Sequence, residues 1–380
     1  MKITYGKQYI DKSDEKIILK TLYENKITEG NKVSLFENTI KKKLKSKFCV
    51  VCNSATSGLF LSMKAIKLQK NDIIIMPAVN FIASYSMAKF MGAKIILCDV
   101  DKFTGQITPE TLKKCIKLNK LRSIKALITM YLGGYPNNIF EFYKLKKKYK
   151  FFIIEDACHA FGASYSHQGR KIKIGSNKHS DLSVFSFHPV KPITTGEGGA
   201  ITTNNKNIYQ NLKILRSHGV LRKKNYWDYD INNLSFNFRI SDINCALGIS
   251  QSKKITNFIK KRKTIFRWYK EFFKNKKNFK LIIPNHQIKP SYHLILLNID
   301  FNKLNLTKNS FMKKLNKKNI FPQFHYKPIQ LFSFYKKKEK NLKNSLEYME
   351  KTISIPVFHE LSKNNVKNIV KSILFELKKN

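Results

Sequence analysis

The stretch Asp181-Leu-Ser-Val-Phe-Ser-Phe-His-Pro-Val-Lys191-Pro-Ile-Thr-Thr-Gly-Glu-Gly-Gly-Ala200 decides how this chain is interpreted. An apolar run typical of a buried strand ends in a polar turn, Lys191 follows between Pro189 and Pro192, and a glycine cluster comes next. Most other lysines lie in polar, helix-like surroundings. A partly desolvated lysine loses its proton more readily and can attack a carbonyl. The stretch therefore predicts a lysine that forms a Schiff base.

A carboxylate that could assist such a lysine lies in a second stretch, Tyr149-Lys-Phe-Phe-Ile-Ile-Glu-Asp156-Ala-Cys-His159. Residues 151–154 are typical of a buried strand in a parallel sheet, and Asp156 falls just past its carboxyl end, where open α/β sheets bind ligands. Pyridoxal phosphate (PLP) needs a carboxylate beside its pyridine nitrogen, because the protonated ring is the better electron sink. Taken singly, Asp156 is typical of a turn or cap and Lys191 of a surface turn. Together they predict a PLP site.

Strands and helices alternate along the first part of the chain, which indicates βαβ units around a mostly parallel sheet. The predicted strands are 49–51, 72–76, 94–98, 126–130, 151–154, 182–186 and 199–203, and the helices 10–24, 34–44, 56–66, 81–91 and 139–149. A Ser34…Glu37 capping box is expected to start the helix at 34–44.

After Ser241 the pattern changes to a long helix, 241–274, and a smaller α+β region with strands near 293–299 and 321–325 and helices near 308–319 and 364–377. We therefore expect an α/β protein of two domains, residues 1–250 and 251–380. The first is the large PLP-binding domain with an N-terminal helical segment, and the second is a small α+β domain.

The formal net charge of +47 raises the question of nucleic-acid binding. Only seven of the 72 basic residues are Arg, the side chain that specific nucleic-acid surfaces favour for bidentate contacts. The lysines are spread along the whole chain, so we interpret their number as a compositional bias. The resulting positive charge could also attract an anionic substrate. We expect no nucleic-acid partner.

We also expect no membrane partner, because no stretch approaches the roughly 20 apolar residues that span a bilayer. The first residues lack the apolar core of a signal peptide, so the expected location is the cytoplasm.

Cys49-Val-Val-Cys52 has the C-x-x-C spacing of some metal and redox sites. Its context is a short buried strand, in which we expect both thiols to face the same side as small core residues. There is no second C-x-x-C and no His pair at zinc spacing. We therefore predict no metal.

Several phrases resemble the DegT/StrS family of PLP-dependent nucleotide-sugar aminotransferases, in order from about residue 5 to the C-terminus. They are Asn53-Ser-Ala-Thr-Ser-Gly58, Glu155-Asp-Ala-Cys-His159, Phe185-Ser-Phe-His-Pro-Val-Lys191, Gly196-Glu-Gly-Gly199, Arg216-Ser-His-Gly219, Asn237-Phe-Arg239 and Ala246-Leu-Gly248. The resemblance implies the aspartate-aminotransferase-like fold (PLP fold type I).

The resemblance also implies roles for the cofactor-facing residues. Lys191 would hold the cofactor and move the proton, Asp156 would pair with the pyridinium nitrogen, and His159 would lie near the ring hydroxyl. The other implied cofactor contacts are Ala55 and Thr56 at the phosphate, the hydroxyl of Ser186, the ring of Phe81, and Asn237, which would reach the neighbouring subunit's cofactor. That last role implies a homodimer with shared sites. Core packing for Phe81 and His159, and an ordinary helix start for Asn237, stay open.

Within the family, the resemblance is strongest to the branch that serves pseudaminic acid biosynthesis. It implies substrate-facing residues at Tyr5, at Asn25, Lys26, Ile27 and Thr28, and at His325, Tyr326, Lys327 and Pro328. The implied substrates are a UDP-linked 4-keto-6-deoxy sugar and L-glutamate as amino donor. Alternatives are a perosamine-type aminotransferase on a GDP sugar, a PLP-fold dehydratase, which would carry histidine in place of Lys191, and a PLP-fold regulator.

Overall fold

The computed structural model describes residues 2–225, 227–337 and 341–378. Its helices are α1 (Lys12–Leu22), α2 (Asn31–Leu44), α3 (Ala55–Ala65), α4 (Ile82–Phe90), α5 (Pro109–Leu118), α6 (Ile139–Tyr149), α7 (Lys206–Arg216), α8 (Asp242–Phe272), α9 (Lys308–Lys317), α10 (Lys343–Lys351) and α11 (Lys363–Lys378).

The strands of the main sheet are β2 (Phe48–Cys52), β3 (Ile73–Pro77), β4 (Lys94–Cys98), β5 (Ala126–Met130), β6 (Phe152–Asp156), β9 (Leu182–Ser186) and β10 (Gly199–Thr203). The other strands are β1 (Ile3–Thr4), β7 (Ser164–His167), β8 (Arg170–Lys173), β11 (Val220–Arg222), β12 (Tyr229–Ile231), β13 (Phe279–Leu281), β14 (Ile288–Lys289), β15 (Ile295–Ile299), β16 (Ile320–Phe321) and β17 (Thr352–Ile355).

The main sheet has the strand order β2-β10-β9-β6-β5-β3-β4. Strands β9, β6, β5, β3 and β4 run parallel to one another. Strand β10 is antiparallel to both of its neighbours, β2 and β9. Because the parallel strands all end at one edge, the side chains that follow them meet there. The predicted mostly parallel sheet is confirmed.

Helices cover both faces of this sheet, which is why its strands are apolar on both sides. On one face, α3, α4 and α7 bury residues such as Val50, Ile74 and Val184. On the other face, α2 and α8 pack over Val51 and Phe185. Helices α5 and α6 continue that second face, and the residues they cover include Ile75, Leu127 and Ile153.

The two cysteines of the C-x-x-C phrase are core residues, as predicted, but they do not face the same side of the strand. Cys49 packs in the cluster with α2 and α8, whereas Cys52 packs in the cluster with α3 and α7. Side chains alternate along a strand, so residues three positions apart point to opposite faces. The expectation of one shared side is therefore wrong.

Helix α2 begins three residues earlier than predicted, and the expected Ser34…Glu37 capping box is wrong. The N-cap is Gly30, and the carboxylate of Asp242 in α8 accepts the backbone N–H groups of Gly30 and Lys32, each at 2.8 Å. A Cβ at position 30 would lie 2.7 Å from the Asp242 carboxylate, so this close approach requires glycine. Glu37 instead accepts hydrogen bonds from Arg216 at 2.7 Å and from the Val51 backbone at 3.1 Å.

The C-terminal region is built on the sheet β13-β15-β17, packed against α8, α9 and α11. Strand β1 pairs in parallel with β16, so the start of the chain is tied to this region. Helix α8 runs through residue 250 without interruption. The division into residues 1–250 and 251–380 stays a prediction.

Candidate active site

A cavity of about 500 Å³ opens at the carboxyl ends of the parallel strands. Met130 ends β5, Asp156 ends β6, Ser186 ends β9, and all three line the cavity. Ten of the residues predicted from the sequence also lie on its wall, namely Tyr5, Ala55, Thr56, Phe81, Asp156, His159, Ser186, Lys191, His325 and Tyr326. The fold therefore brings together residues that are up to several hundred positions apart in the sequence.

Lys191 reaches the cavity from the turn that follows β9. The turn is held by hydrogen bonds from Lys191 N to His188 O and from Thr195 N to Phe187 O, both 2.9 Å long. The lysine side chain touches the cavity but is otherwise enclosed by protein, and this desolvation lowers the pKa of Lys191 below 10.5. The negative charge of the Asp156 carboxylate acts in the opposite direction. A lowered pKa favours the neutral, nucleophilic amine.

Asp156 is buried at the end of β6, with 3% of its surface exposed. Its carboxylate accepts a hydrogen bond from Cys158 N at 3.2 Å and a longer one from Ser84 Oγ at 3.4 Å. Burial raises the pKa of Asp156, and these hydrogen bonds and the charge of Lys191 only partly offset that effect. In the described part of the chain, no cation forms an ion pair with Asp156. A protonated ring nitrogen would supply that missing partner.

The turn before α3 has the form of a phosphate site. Ser54 is the N-cap, and its Oγ accepts the Ser57 N–H at 3.1 Å, while Ala55 and Thr56 line the cavity with the first turn of the helix. Free N–H groups and the positive helix end favour an anion there. A Cβ at Gly199 would lie 2.6 Å from the Ser54 carbonyl carbon and 2.7 Å from Ala55 N, so only glycine lets β10 support this turn.

His159 and two aromatic rings form another part of the wall. The Nδ1 atom of His159 accepts the Gly133 N–H at 3.2 Å, and its Nε2 lies 3.0 Å from the Tyr326 hydroxyl. The Tyr326 ring centroid is 5.6 Å from that of Phe81. Phe81 is 52% exposed, which excludes the alternative that it is a core residue in the described chain. His159 is fully buried with both ring nitrogens bonded, yet it also faces the cavity.

Some predicted residues lie away from the cavity wall. Residues 25–28 are exposed on the surface, where Thr28 pairs with Ser241. Lys327 is exposed with its amine 5.1 Å from the Phe332 ring centroid, and Pro328 is buried beside it. Their predicted substrate contacts stay predictions.

Asn237 is also exposed and is tied to the phosphate turn rather than to the cavity wall. Its backbone carbonyl accepts the Asn53 side-chain amide at 3.4 Å, and its own side chain accepts the Arg239 N–H at 3.1 Å. The predicted contact of Asn237 with a neighbouring subunit's cofactor stays a prediction.

Sequence reasoning missed several residues on the wall: Ser54, Met130, Cys158, His188, Val190, Glu197, Gln323 and Phe324. Most of them lie in the same phrases as predicted residues, and proximity to Lys191, Asp156 or His325 was the signal that could have found them. Met130 could have been found as the last residue of a predicted strand.

No group of three or more His, Cys, Asp and Glu side chains in residues 2–225, 227–337 and 341–378 is arranged to hold a metal ion. In the same residues, no helix is both long and apolar enough to cross a bilayer.

The sheet with its single antiparallel strand, and a lysine and an aspartate at the carboxyl ends, define an aspartate-aminotransferase-like protein of PLP fold type I. The chain belongs to the DegT/DnrJ/EryC1/StrS aminotransferase family, whose profile matches residues 8–374. This membership and the fit of Lys191, Asp156 and the turn before α3 confirm the prediction of pyridoxal 5′-phosphate as cofactor.

Two curated relatives carry the same name, UDP-4-amino-4,6-dideoxy-N-acetyl-beta-L-altrosamine transaminase. The Campylobacter jejuni protein is 38% identical over 379 residues, which cover 99% of this chain and 97% of the relative. The Helicobacter pylori protein is 32% identical, with 97% and 96% covered. The solved structure of Helicobacter pylori PseC, described as an aminotransferase in the biosynthesis of pseudoaminic acid, matches with a TM-score of 0.90 at 29% identity and covers 100% of both chains.

Proposed function

We propose that this chain is a PLP-dependent aminotransferase that moves an amino group from L-glutamate to C4 of a UDP-linked 4-keto-6-deoxy sugar. The product would be UDP-4-amino-4,6-dideoxy-N-acetyl-β-L-altrosamine, used for pseudaminic acid or a related nonulosonic acid of surface glycans. The names of the relatives, at 38% and 32% identity over nearly the whole chain, support this substrate class. The predicted cytoplasmic location stays a prediction.

The observation that carries the proposal is that Lys191 and the buried Asp156 lie on the wall of one cavity. When bound, PLP supplies a conjugated ring that delocalises the electrons of a broken bond at the amino-acid Cα. Asp156 would keep the ring nitrogen protonated through its carboxylate, and the turn before α3 would hold the phosphate through backbone N–H groups. These residues would hold the cofactor in one orientation beside the Lys191 amine.

Lys191 would act twice in this scheme. Its Nζ would hold the cofactor covalently between turnovers, and as a free amine it would carry the proton to and from the substrate carbon. The lowered pKa of Lys191 suits the second role, because a general base works best when a substantial fraction is unprotonated. Phe81 and Tyr326 would cover one side of the cavity and limit access of water.

We infer a homodimer from the surface next to the phosphate turn. Leu234 is 82% exposed, Phe236 53% and Phe90 70%, and the rings of Phe90 and Phe236 both pack on Phe60. This apolar surface adjoins Asn237, whose carbonyl is bonded to Asn53 at the start of the phosphate turn. Large exposed apolar surfaces beside a site favour a protein partner. A second copy of the chain would cover it and bring Asn237 to the neighbouring cavity.

The test is product analysis with UDP- and GDP-linked 4-keto-6-deoxy sugars, each with L-glutamate or another amino acid as donor. We expect an amine at C4 of the UDP-linked N-acetylated sugar and 2-oxoglutarate in equal amount. Turnover of GDP sugars alone would contradict the proposal and identify a perosamine-type enzyme. Loss of water from the sugar without amine transfer would identify a dehydratase, and no turnover of any sugar would favour a regulator.

A further inference from the structure

Glu197 lies on a turn whose backbone is held by three hydrogen bonds. Gly196 N donates to Thr194 Oγ1 at 2.9 Å, and Thr195 Oγ1 donates to the Glu197 carbonyl at 2.7 Å. The Asn244 side-chain amide, from the first turn of α8, donates to the Thr195 carbonyl at 2.5 Å. The backbone of the turn is thus fixed from both sides, while the Glu197 side chain is exposed and lines the cavity. The hydrogen bonds thus fix the backbone position from which the Glu197 side chain lines the cavity.

Glu197 places a negative charge on the wall of a cavity in a strongly basic chain. The chain has 72 basic and 25 acidic residues, and the cavity is proposed to take up an anionic nucleotide sugar. Asp156 is the other carboxylate on the wall, but it is buried and accepts hydrogen bonds from the protein. In the described part of the chain, the Glu197 carboxylate makes neither an ion pair nor a hydrogen bond. Its acceptor atoms are therefore available to a ligand.

We propose that Glu197 is a specificity-determining residue that accepts hydrogen bonds from the hydroxyl and amide N–H groups of the sugar. A carboxylate only accepts hydrogen bonds, so it selects ligand groups that donate them. It also repels the diphosphate and the carboxylates of the amino donor. Glu197 would thus direct the neutral sugar ring, rather than the diphosphate, to this part of the wall. This inference rests on the proposed function.

The experiment compares Glu197→Gln with the unmodified holoenzyme. Glutamine keeps the size of the side chain but loses the negative charge and thus the charge-assisted part of each hydrogen bond. We expect the KM for the UDP-4-keto sugar to rise about tenfold. The KM for L-glutamate should stay the same or fall, because a repulsion is removed, and the amount of bound cofactor should not change. Calorimetric binding of the UDP-amino sugar product should weaken by the same factor as the KM rises.

Glu271→Gln is the matched control, since Glu271 is an exposed carboxylate outside the cavity that pairs with Lys363 at 3.3 Å. It should leave both KM values unchanged. If Glu197→Gln leaves the sugar KM and product affinity unchanged, or raises both KM values together, the inference is overturned while the proposed function stands. If neither the unmodified enzyme nor Glu271→Gln turns over a UDP-4-keto sugar, the proposed function fails and the inference falls with it.

Discussion

The Nε2 atom of His159 lies 3.0 Å from the hydroxyl of Tyr326, and the direction of this hydrogen bond follows from the other side of the imidazole. Gly133 N–H donates to Nδ1, so Nδ1 carries no proton. Burial, reinforced by Lys191 and His325, lowers the pKa of His159 well below 6.5, so the ring is neutral and its proton is on Nε2. His159 therefore donates to Tyr326, whose own O–H is left to donate into the cavity. The wall presents a fixed donor there.

This arrangement predicts that His159 and Tyr326 act as a unit. Tyr326→Phe removes the donor, and His159→Leu removes the group that orients it, so each should lower kcat/KM for the sugar by about tenfold. The double variant should lose little more than either single variant, because both changes remove the same contact. Losses that multiply in the double variant would refute the coupling. Tyr269→Phe removes a buried hydroxyl that bonds Pro356 O outside the cavity, and it should leave kcat/KM unchanged.

Asp156→Asn should separate cofactor binding from catalysis. Asparagine can still accept the Cys158 N–H, but it cannot balance a positive charge on the ring nitrogen. We expect nearly full cofactor content with kcat lowered by about tenfold to a hundredfold. Cofactor content by absorbance and single-turnover rates would test this. An unchanged rate would mean that Asp156 is a turn residue.

Three buried histidines around the cavity predict a loss of stability in mild acid. Burial is the main cause that lowers the pKa values of His159, His293 and His325, the last from 6.5 to about 3. Below pH 6.5 the unfolded chain binds protons that the folded chain does not, so the free energy of unfolding falls as pH falls. For His325 alone the loss between pH 7 and pH 5 is about 2 kcal/mol. Denaturant titrations at the two pH values measure it, and equal stability would contradict the burial argument.

Asn237 is predicted to act across the dimer. In a hybrid of one Lys191→Ala and one Asn237→Ala subunit, both defects would fall on one site and leave the other site intact. Doubly tagged hybrids isolated after co-expression should therefore be far more active than either parent homodimer. A Lys191→Ala and Asp156→Asn hybrid is the control, because these residues line the same chain's cavity and each site keeps one defect. Activity no higher than the mean of the parents in the first hybrid would exclude the shared site.

The regular parts of the fold could be predicted because their signals are local. The apolar runs at Lys94–Cys98, Ala126–Met130 and Leu182–Ser186 gave the observed strand bounds. The start of α2 could not be predicted, because Asp242 caps it from more than two hundred residues away. The local sequence pattern indicated a capping box formed by Ser34 and Glu37, but Glu37 instead forms an ion pair with Arg216.

In the site too, residues with a local sequence signal could be predicted, and contacts between distant segments could not. Lys191 and Asp156 could be predicted because each comes at the end of an apolar run, and the cavity does bring them together. Asp156 is the last residue of β6, whereas the sequence pattern placed it just past the end of the strand. Glu197 lies six residues after Lys191, so its proximity to the cavity had a sequence signal, but the bond from Asn244 in α8 that fixes the Thr195 carbonyl had none. The hydrogen bond from Gly133 to His159 likewise has no sequence signal, since any backbone N–H could make it.

The most direct test of the central claim is to ask whether Lys191 carries the cofactor and is needed for amine transfer. Borohydride reduction of the unmodified enzyme, followed by peptide mass spectrometry, should find PLP fixed to Lys191. Lys191→Ala should bind PLP without this attachment and should form no amino sugar from a UDP-4-keto sugar and L-glutamate, whereas the surface variant Lys206→Ala should behave as the unmodified enzyme. Attachment at another lysine, or substantial amino-sugar formation by Lys191→Ala, would contradict the account.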